Sequence, residues 1–344
     1  MKHCKRLSID LAKGVFQICG LNPNNKTLFN RKTTRAKLLL EVLNIKPNII
    51  IMESCYSAIY WGRLFESHGF KVKLIPAQHV KPFVKGNKND KHDALAIAEA
   101  SMRPNIHFVP IKSIEKQDIQ CLHRVRQRLI SYRTGLTNQI RGLLSDYGVI
   151  FAKGHHAILT SLPLLIEDMA NNLSFTIREL LNDLLEELKS RNALIDKTED
   201  KIKILSSKQK GFTNLMNMPG IGLINASALV SAIGDAKQFS SARGFAAFLG
   251  LVPKHEQSGT MLKSKGISKN GNRYLRTLLV HGARTIVSRY KNTDDPLKQF
   301  AIKIKEKRGK HKAYVAVAHK MSRIIWAMLT KDQAYNPNYI LTIK

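Results

Sequence analysis

The sequence predicts an α/β domain followed by a long, mostly helical remainder, and three observations carry that reading. Strand and helix signals alternate over residues 1 to 110, strand signals vanish from about 113 to 210, and helical periodicity continues beyond 211. A chain of 344 residues has room for two or three domains with adequate cores. The expected division is 1–110, 111–210 and 211–344.

Apolar, β-branched runs place strands at 4–9, 14–20, 26–31, 48–53 and 71–75, and helices near 35–44, 57–68 and 91–102. The first three strands follow one another through short turns, one of them Asn22-Pro23-Asn24-Asn25, and read as an antiparallel meander. The later strands are separated by helices, and the unbroken run Ile49-Ile50-Ile51-Met52 fits a central strand buried on both faces. A meander feeding parallel strands is a mixed sheet with helices on its faces, the ribonuclease-H-like architecture.

Beyond the sheet, Leu122, Val125, Leu129, Tyr132, Leu136, Ile140 and Leu143 recur at spacings of three and four. Ile177, Leu181, Leu184, Leu188, Ile195, Ile202 and Leu205 do much the same. Each set is a heptad-like seam on a long helix. An antiparallel or intermolecular coiled coil is favoured over core helices of a bundle, with a broken helical connection around Pro163. Near 213 the character changes: Met218-Pro219-Gly220-Ile221-Gly222 precedes an apolar helix and resembles a helix-hairpin-helix turn. In such a turn, backbone N–H groups at a helix N-terminus contact a DNA phosphate, which makes Gly220 and Gly222 candidate nucleic-acid contacts. Residues 251–272, rich in Gly, Lys and Ser, read as a loop before the final helices.

The charge balance is far from ordinary, with 56 Lys+Arg against 25 Asp+Glu and a formal charge of +31. Such an excess points to a polyanionic partner, DNA or RNA. The four cysteines form no CxxC pair and no zinc-like spacing, and are expected as small buried thiols of a reducing compartment. No apolar run approaches the roughly 18 residues a membrane helix needs. The N-terminus leads straight into a strand instead of a leader-like apolar stretch, so a cytoplasmic, nucleoid-associated protein is expected.

Four acids stand out against this basic background. Asp10 ends the run Leu7-Ser8-Ile9, Glu53 ends Ile49-Ile50-Ile51-Met52, and Asp90 and Asp93 lie three apart where an Ala-rich helix begins. A carboxylate at the tip of a buried strand is costly unless a cation holds it. Taken singly, each has a plain alternative: a turn for Asp10, a lysine partner for Glu53, a helix cap for Asp90, a solvated first-turn acid for Asp93. Together they fit one site for two divalent ions about 4 Å apart, the arrangement that activates an attacking oxygen and stabilises a leaving one.

At these residues the chain resembles a known family. Leu7-Ser8-Ile9-Asp10, Ile51-Met52-Glu53-Ser54 and Asn89-Asp90-Lys91-His92-Asp93-Ala94 look like the DEDD set of RuvC-like transposases of the insertion-sequence-110 family, including its 1111-type branch. Met218-Pro219-Gly220-Ile221-Gly222, Phe248-Leu249-Gly250-Leu251-Val252-Pro253 and Gly271-Asn272-Arg273-Tyr274-Leu275-Arg276 look like its second, transposase-specific domain. The resemblance spans residues 1 to about 330 in the family's order. It implies α/β plus α architecture: a RuvC-like N-terminal domain, a helical coiled-coil insertion and a mostly helical C-terminal domain with a serine nucleophile. It further implies two Mg²⁺ on Asp10, Glu53, Asp90 and Asp93, and a transient covalent DNA link to the serine. By motif position that serine is Ser258, although Gln257 and Thr260 depart from the commoner pattern of two serines and two glycines. Ser264 and Ser268 are its neighbours and competitors.

The implied partners are insertion-sequence end DNA, target DNA, a non-coding bridge RNA that pairs with both, and further copies of the chain in a dimer or tetramer. Between residues 253 and 312 there are 16 Lys+Arg and 4 Asp+Glu. Lys263, Lys265, Lys269, Arg273, Arg276, Lys305, Lys307, Arg308 and Lys310 are therefore candidate phosphate contacts. Arg124, Arg126, Arg128, Arg133 and Arg141 on the first long helix are candidates for RNA or flanking DNA. The leading alternative is a Holliday-junction-type or structure-selective Mg-dependent nuclease that uses the acids without a serine step. A nucleic-acid-binding protein with vestigial acids is the other.

Overall fold

The computed structural model describes residues 3–84, 89–104, 106–258, 261–289 and 293–337. The chain divides into two compact units, Met1–Ile114 and Glu115–Lys344.

The first unit is built on a five-stranded sheet of β1 (Arg6–Asp10), β2 (Val15–Leu21), β3 (Thr27–Thr34), β4 (Ile49–Glu53) and β5 (Val72–Ile75) in the order β3-β2-β1-β4-β5. The meander β1-β2-β3 is antiparallel, whereas β4 and β5 run parallel to β1 and to each other. The five strands lie within a few residues of the positions their sequence pattern predicts.

Alternation along the strands separates two faces. Leu7, Ile9, Phe16, Ile18, Ile50, Met52 and Leu74 pack beneath α1 (Leu38–Ile45) and α2 (Ala58–Ser67), with Leu38, Val42, Trp61 and Phe65 completing that core. Residues of the other parity, among them Cys19, Leu21, Ile51 and Ile75, meet α4 (Asp90–Ser101). A short α3 (Ala77–Val80) precedes it. The buried alanines 94, 96, 98 and 100 let α4 lie close to the sheet. Ser8 Oγ donates to the Ala94 carbonyl at 2.6 Å, a buried bond that docks the start of α4 on β1. Asn89 caps the helix by accepting from the Lys91 N–H.

In the second unit, α5 (Ile114–Ser145) and α7 (Phe175–Ser207) run antiparallel, joined through α6 (His155–Glu167) with Pro163 inside it. Leu136, Ile140 and Leu144 of α5 share one apolar cluster with Ile158 and Leu162 of α6 and with Ile177, Leu181, Leu185 and Leu188 of α7. The Arg126–Glu199 ion pair at 2.7 Å and the Arg133–Asn192 hydrogen bond at 3.0 Å set the antiparallel register. The two seams thus close on each other within one chain. Val125 and Tyr132, read as seam residues, are exposed instead.

The remaining helices are α8 (Phe212–Met216), α9 (Leu223–Ala232), α10 (Ala242–Phe248), α11 (Arg273–Arg289), α12 (Pro296–Arg308) and α13 (Lys310–Lys331). They enclose a second core of residues such as Leu229, Phe245, Leu279, Ile286, Val317 and Ile325. Within 251–272 the expected loop is an antiparallel hairpin, β6 (Pro253–Ser258) and β7 (Met261–Ile267). No apolar alternation marked it, because its strands are polar and form a two-stranded sheet of their own. Among the cysteines, Cys4 and Cys19 are buried but Cys121 is exposed, against the expectation of buried thiols throughout. No helix among the described residues is long and apolar enough to cross a membrane.

Candidate functional site

The ladder register places Asp10 and Glu53 at the carboxyl ends of neighbouring parallel strands, one residue beyond the Ile9–Met52 pair. Both lie on the face that α4 covers, since Ser8 and Ile51, two residues earlier, contact or pack against that helix. Asp90 and Asp93 occupy the first turn of α4. Burial pushes the Glu53 carboxyl above its ordinary range, and the negative charge of Asp93 pushes it further the same way. A half-buried carboxyl whose ionisation is opposed by burial and by a neighbouring carboxylate is an arrangement a cation relieves.

The fit to a divalent ion has a second support. Gln17 pairs with Asp10 across the β1–β2 ladder and is buried. Its Nε2 donates to Asn30 Oδ1 at 2.7 Å, while its Oε1 accepts no hydrogen bond among the described residues. An open buried acceptor beside a carboxylate suits a hydrated cation. Asn30 in turn donates to the Lys91 carbonyl at 2.9 Å, tying the acid-bearing turn of α4 to β3.

Asp90 behaves differently from the other three. It is exposed and its carboxylate lies 3.7 Å from Lys32 Nζ. Among the described residues, no three His, Cys, Asp or Glu side chains come close enough together to hold a metal ion. The fold gathers Asp10, Glu53 and Asp93 at one end of the sheet, and leaves Asp90 at its rim.

In the second unit, Ser258 is the last paired residue of β6, opposite Met261. Its side chain, and residues Gly259 and Thr260, lie outside the described residues. The base of this hairpin is clasped by the two motifs that flank it. The N–H groups of Ser268, Lys269 and Asn272 donate to the carbonyls of Val252, Gly250 and Phe248 at 2.8, 3.1 and 3.0 Å. Arg276 Nη1 donates to the Leu249 carbonyl at 3.0 Å. Gly271 has φ of +128° and lies against the Phe248 carbonyl, so only glycine fits there.

That geometry refines the basic candidates. Arg276 spends one guanidinium N–H on the clasp, and Lys265 pairs with Glu256 at 2.5 Å, with Lys254 at 3.1 Å on the same carboxylate. Lys265 and Lys254 hold the Glu256 carboxyl below its usual range. Lys263, Lys269, Arg273, Lys307, Arg308 and Lys310 are exposed, and Lys305 is half-buried. Gly220 is packed on α11: its φ is +77°, and a Cβ there would stand 2.7 Å from the Gly282 carbonyl. Its carbonyl also accepts from Asn225 Nδ2 at 3.1 Å. Packing therefore accounts for Gly220, whereas Gly222 is exposed at the amino end of α9.

One buried polar network carried no signal in the sequence reading. His123 of α5 bonds Tyr274 Oη at 2.9 Å and Ser227 Oγ at 3.0 Å. Ser227 already donates to the Leu223 carbonyl, so it accepts from His123 Nε2–H, and Nδ1 accepts from the tyrosine hydroxyl. Burial, with Arg126 nearby, lowers the His123 pKa to about 4, which keeps the ring in this neutral form. The network joins α5, α9 and α11 just behind the clasp.

Comparisons with known proteins agree with this division of features. A DEDD transposase model of the IS110 family matches residues 7–149, and the model described as "Transposase IS116/IS110/IS902 family" matches residues 213–298. The chain is 40% identical over 335 residues to the transposase for insertion sequence element IS1111A of Coxiella burnetii, covering 97% of this chain and 92% of that one. It is 33% identical to the transposase for insertion sequence element IS1328 of Yersinia enterocolitica, over 98% of this chain and all of the relative (100%). A pilin gene-inverting protein of Moraxella bovis is 27% identical over 96% of this chain and 97% of its own length. With both family models matched in order and relatives aligned from end to end, the chain belongs to the IS110 family and is an insertion-sequence transposase.

Proposed function

We propose that the protein cuts and exchanges DNA strands at the ends of its insertion sequence and at a target, using a divalent-metal site in the first unit and Ser258 in the second. One observation carries the reading most: Asp10 and Glu53 end adjacent parallel strands on the face where α4 presents Asp93. The strand order supports a ribonuclease-H-like, RuvC-like domain. Asp10, Glu53 and Asp93, with Asp90 recruited from Lys32, would hold two Mg²⁺, which supply Lewis-acid activation of the attacking and leaving oxygens.

Ser258 Oγ is proposed as the nucleophile toward the scissile phosphorus. A bond from serine oxygen to phosphorus forms as the bond to the deoxyribose oxygen breaks; the serine gives up its proton and the leaving oxygen gains one. The resulting phosphodiester keeps the bond energy needed for rejoining. The clasp at the hairpin base supports this role by fixing the strands that end in Ser258. The exposed lysines and arginines of α12 and β7 are proposed to hold phosphates, and Gly222 to offer the amino end of α9. A bridge RNA would supply target choice through base pairing, and the working particle would be a dimer or tetramer.

The test is recombination of a donor–target plasmid pair, with protein–DNA adducts resolved on denaturing gels. A hydroxyl that only binds phosphate contributes about 0.5–1.5 kcal/mol, so its loss would slow reaction roughly three- to tenfold. Ser258→Ala is expected to remove product by several orders of magnitude and to abolish the adduct. Asp10→Ala, Glu53→Ala and Asp93→Ala should each do the same to recombination without unfolding the chain. Cleavage that survives Ser258→Ala would instead favour the metal-dependent nuclease reading.

A further inference from the structure

Two exposed tyrosines stand at the same end of the sheet as the acids and have no part in the proposed chemistry. Tyr56 follows Glu53 by three residues, in the turn before the N-cap Ser57 of α2, and is 71% exposed. Tyr60 lies four residues further, in the first turn of α2, and is 51% exposed. A single exposed aromatic ring is ordinary. Two exposed rings four residues apart, one of them backed by a cation, are less so.

The backing is rigid. The Arg35 guanidinium lies 5.7 Å from the Tyr60 ring centroid and 5.3 Å from that of Trp61. Trp61 is buried, set edge-on to Phe16 at 5.5 Å and to Tyr60 at 5.3 Å, and stacked on Phe65 at 5.6 Å. Tyr60 and Arg35 are thus mounted on the core beneath the sheet. The Arg35 N–H donates to the Gly14 carbonyl at 2.9 Å, which fixes it to the loop that leaves Asp10. Lys13, Arg35 and Lys37 are all exposed on these segments, giving the patch a positive charge.

Rigid aromatic rings interleaved with cations are the chemistry that receives unpaired bases, since every base has a π-face and every nucleotide a phosphate. A duplex hides its base faces in its own stack. We infer that Tyr56, Tyr60 and Arg35 form a stacking surface for unpaired nucleotides, beside the carboxyl ends of β1 and β4. The inference rests on the nucleic-acid reading above and adds a residue set and a ligand class to it. The unpaired strand is DNA freed at the cut or RNA of a guide; both offer the same π-face and phosphate.

The test uses the full-length protein with single-stranded DNA and RNA oligonucleotides carrying 2-aminopurine, and a blunt duplex of the same sequence. Wild type is expected to bind at least one single strand with quenched fluorescence, the stronger quench identifying DNA or RNA as the source. Tyr56→Ala and Tyr60→Ala should each weaken that binding roughly five- to hundredfold and relieve the quench, with duplex affinity and circular dichroism unchanged. Phenylalanine at either position should restore both, because it keeps the ring. Unchanged single-strand affinity in the alanine variants would overturn the inference, as would equal losses on single strand and duplex. A changed oligomeric state with intact strand binding would assign the rings to a protein contact and overturn it too. Asp10→Ala should keep the quench; its retention of cleavage would sink the metal-site reading while leaving the stacking result standing.

Discussion

Burial, and then the charge of Asp93, hold the Glu53 carboxyl above its ordinary range, so its surroundings oppose ionisation and a bound cation would relieve them. A carboxyl whose folded pKa is raised contributes stability that is full below its unfolded value, about 4.3, and is lost as pH rises through the folded value. In EDTA, wild type should therefore lose stability from this group as pH climbs from about 4 toward 7. Glu53→Gln removes that loss: its melting temperature should exceed wild type at neutral pH and match it in acid. Added Mg²⁺ or Mn²⁺ should reverse the order by stabilising wild type more than the variant. Scanning calorimetry across pH, with and without metal, reads both effects, and identical pH profiles for the two proteins would count against the buried acid pair.

The pairing of α5 with α7 makes an element-scale prediction. Ile140 and Leu181 are fully buried within one chain, in a cluster shared with α6. Truncating either to alanine should cost about 2–5 kcal/mol. Because the seam is internal, neither substitution should change the dissociation constant of self-association; weakened self-association in both variants, read by analytical ultracentrifugation, would show the seam to be intermolecular. A second prediction concerns the turn before α9. A Cβ at residue 282 of α11 would overlap the Gly220 carbonyl, which has no flexible side chain to move aside. Gly282→Ala should destabilise the second unit by about 1–3 kcal/mol, seen as an earlier urea midpoint, whereas Gly222→Ala, with open space around it, should leave the midpoint near wild type.

The formal charge of +31 acts on the molecule as a whole. Lysines and arginines already engaged within the chain, such as Lys265, Arg126 and Arg276, release fewer counterions than the count suggests. Neutralising about six phosphates would give a slope of log K against log salt near −5 on duplex DNA. Replacing the exposed Lys307, Arg308 and Lys310 together should weaken binding to all sequences alike and flatten the slope by about 3. Fluorescence anisotropy over a salt series measures it, and a flat response in wild type would remove phosphate neutralisation as the basis of binding.

Local pattern by itself determined the order of the five strands along the chain, the start of α4 to within a residue or two of 91, and the placement of Asp10 and Glu53 at strand ends, whereas the capping residue proved to be Asn89 and not Asp90. Period-two burial and helix capping are short-range effects, readable a few residues at a time. The motifs also carried the family, and with it the transposase identity. Tertiary structure alone decided the rest. Asp93 comes within electrostatic reach of Glu53 while Asp90 turns to Lys32, because α4 docks on β1 through Ser8 and Ala94, a bond between residues far apart in sequence. The β6–β7 hairpin was hidden, since its polar strands are held by a backbone clasp from Phe248–Val252 to 268–272 that leaves no periodic mark. The seams of α5 and α7 were legible as seams, but a heptad pattern reads the same whether its partner is the same chain or another. Arg126–Glu199 and Arg133–Asn192 made that choice, by pairing the two helices within one chain.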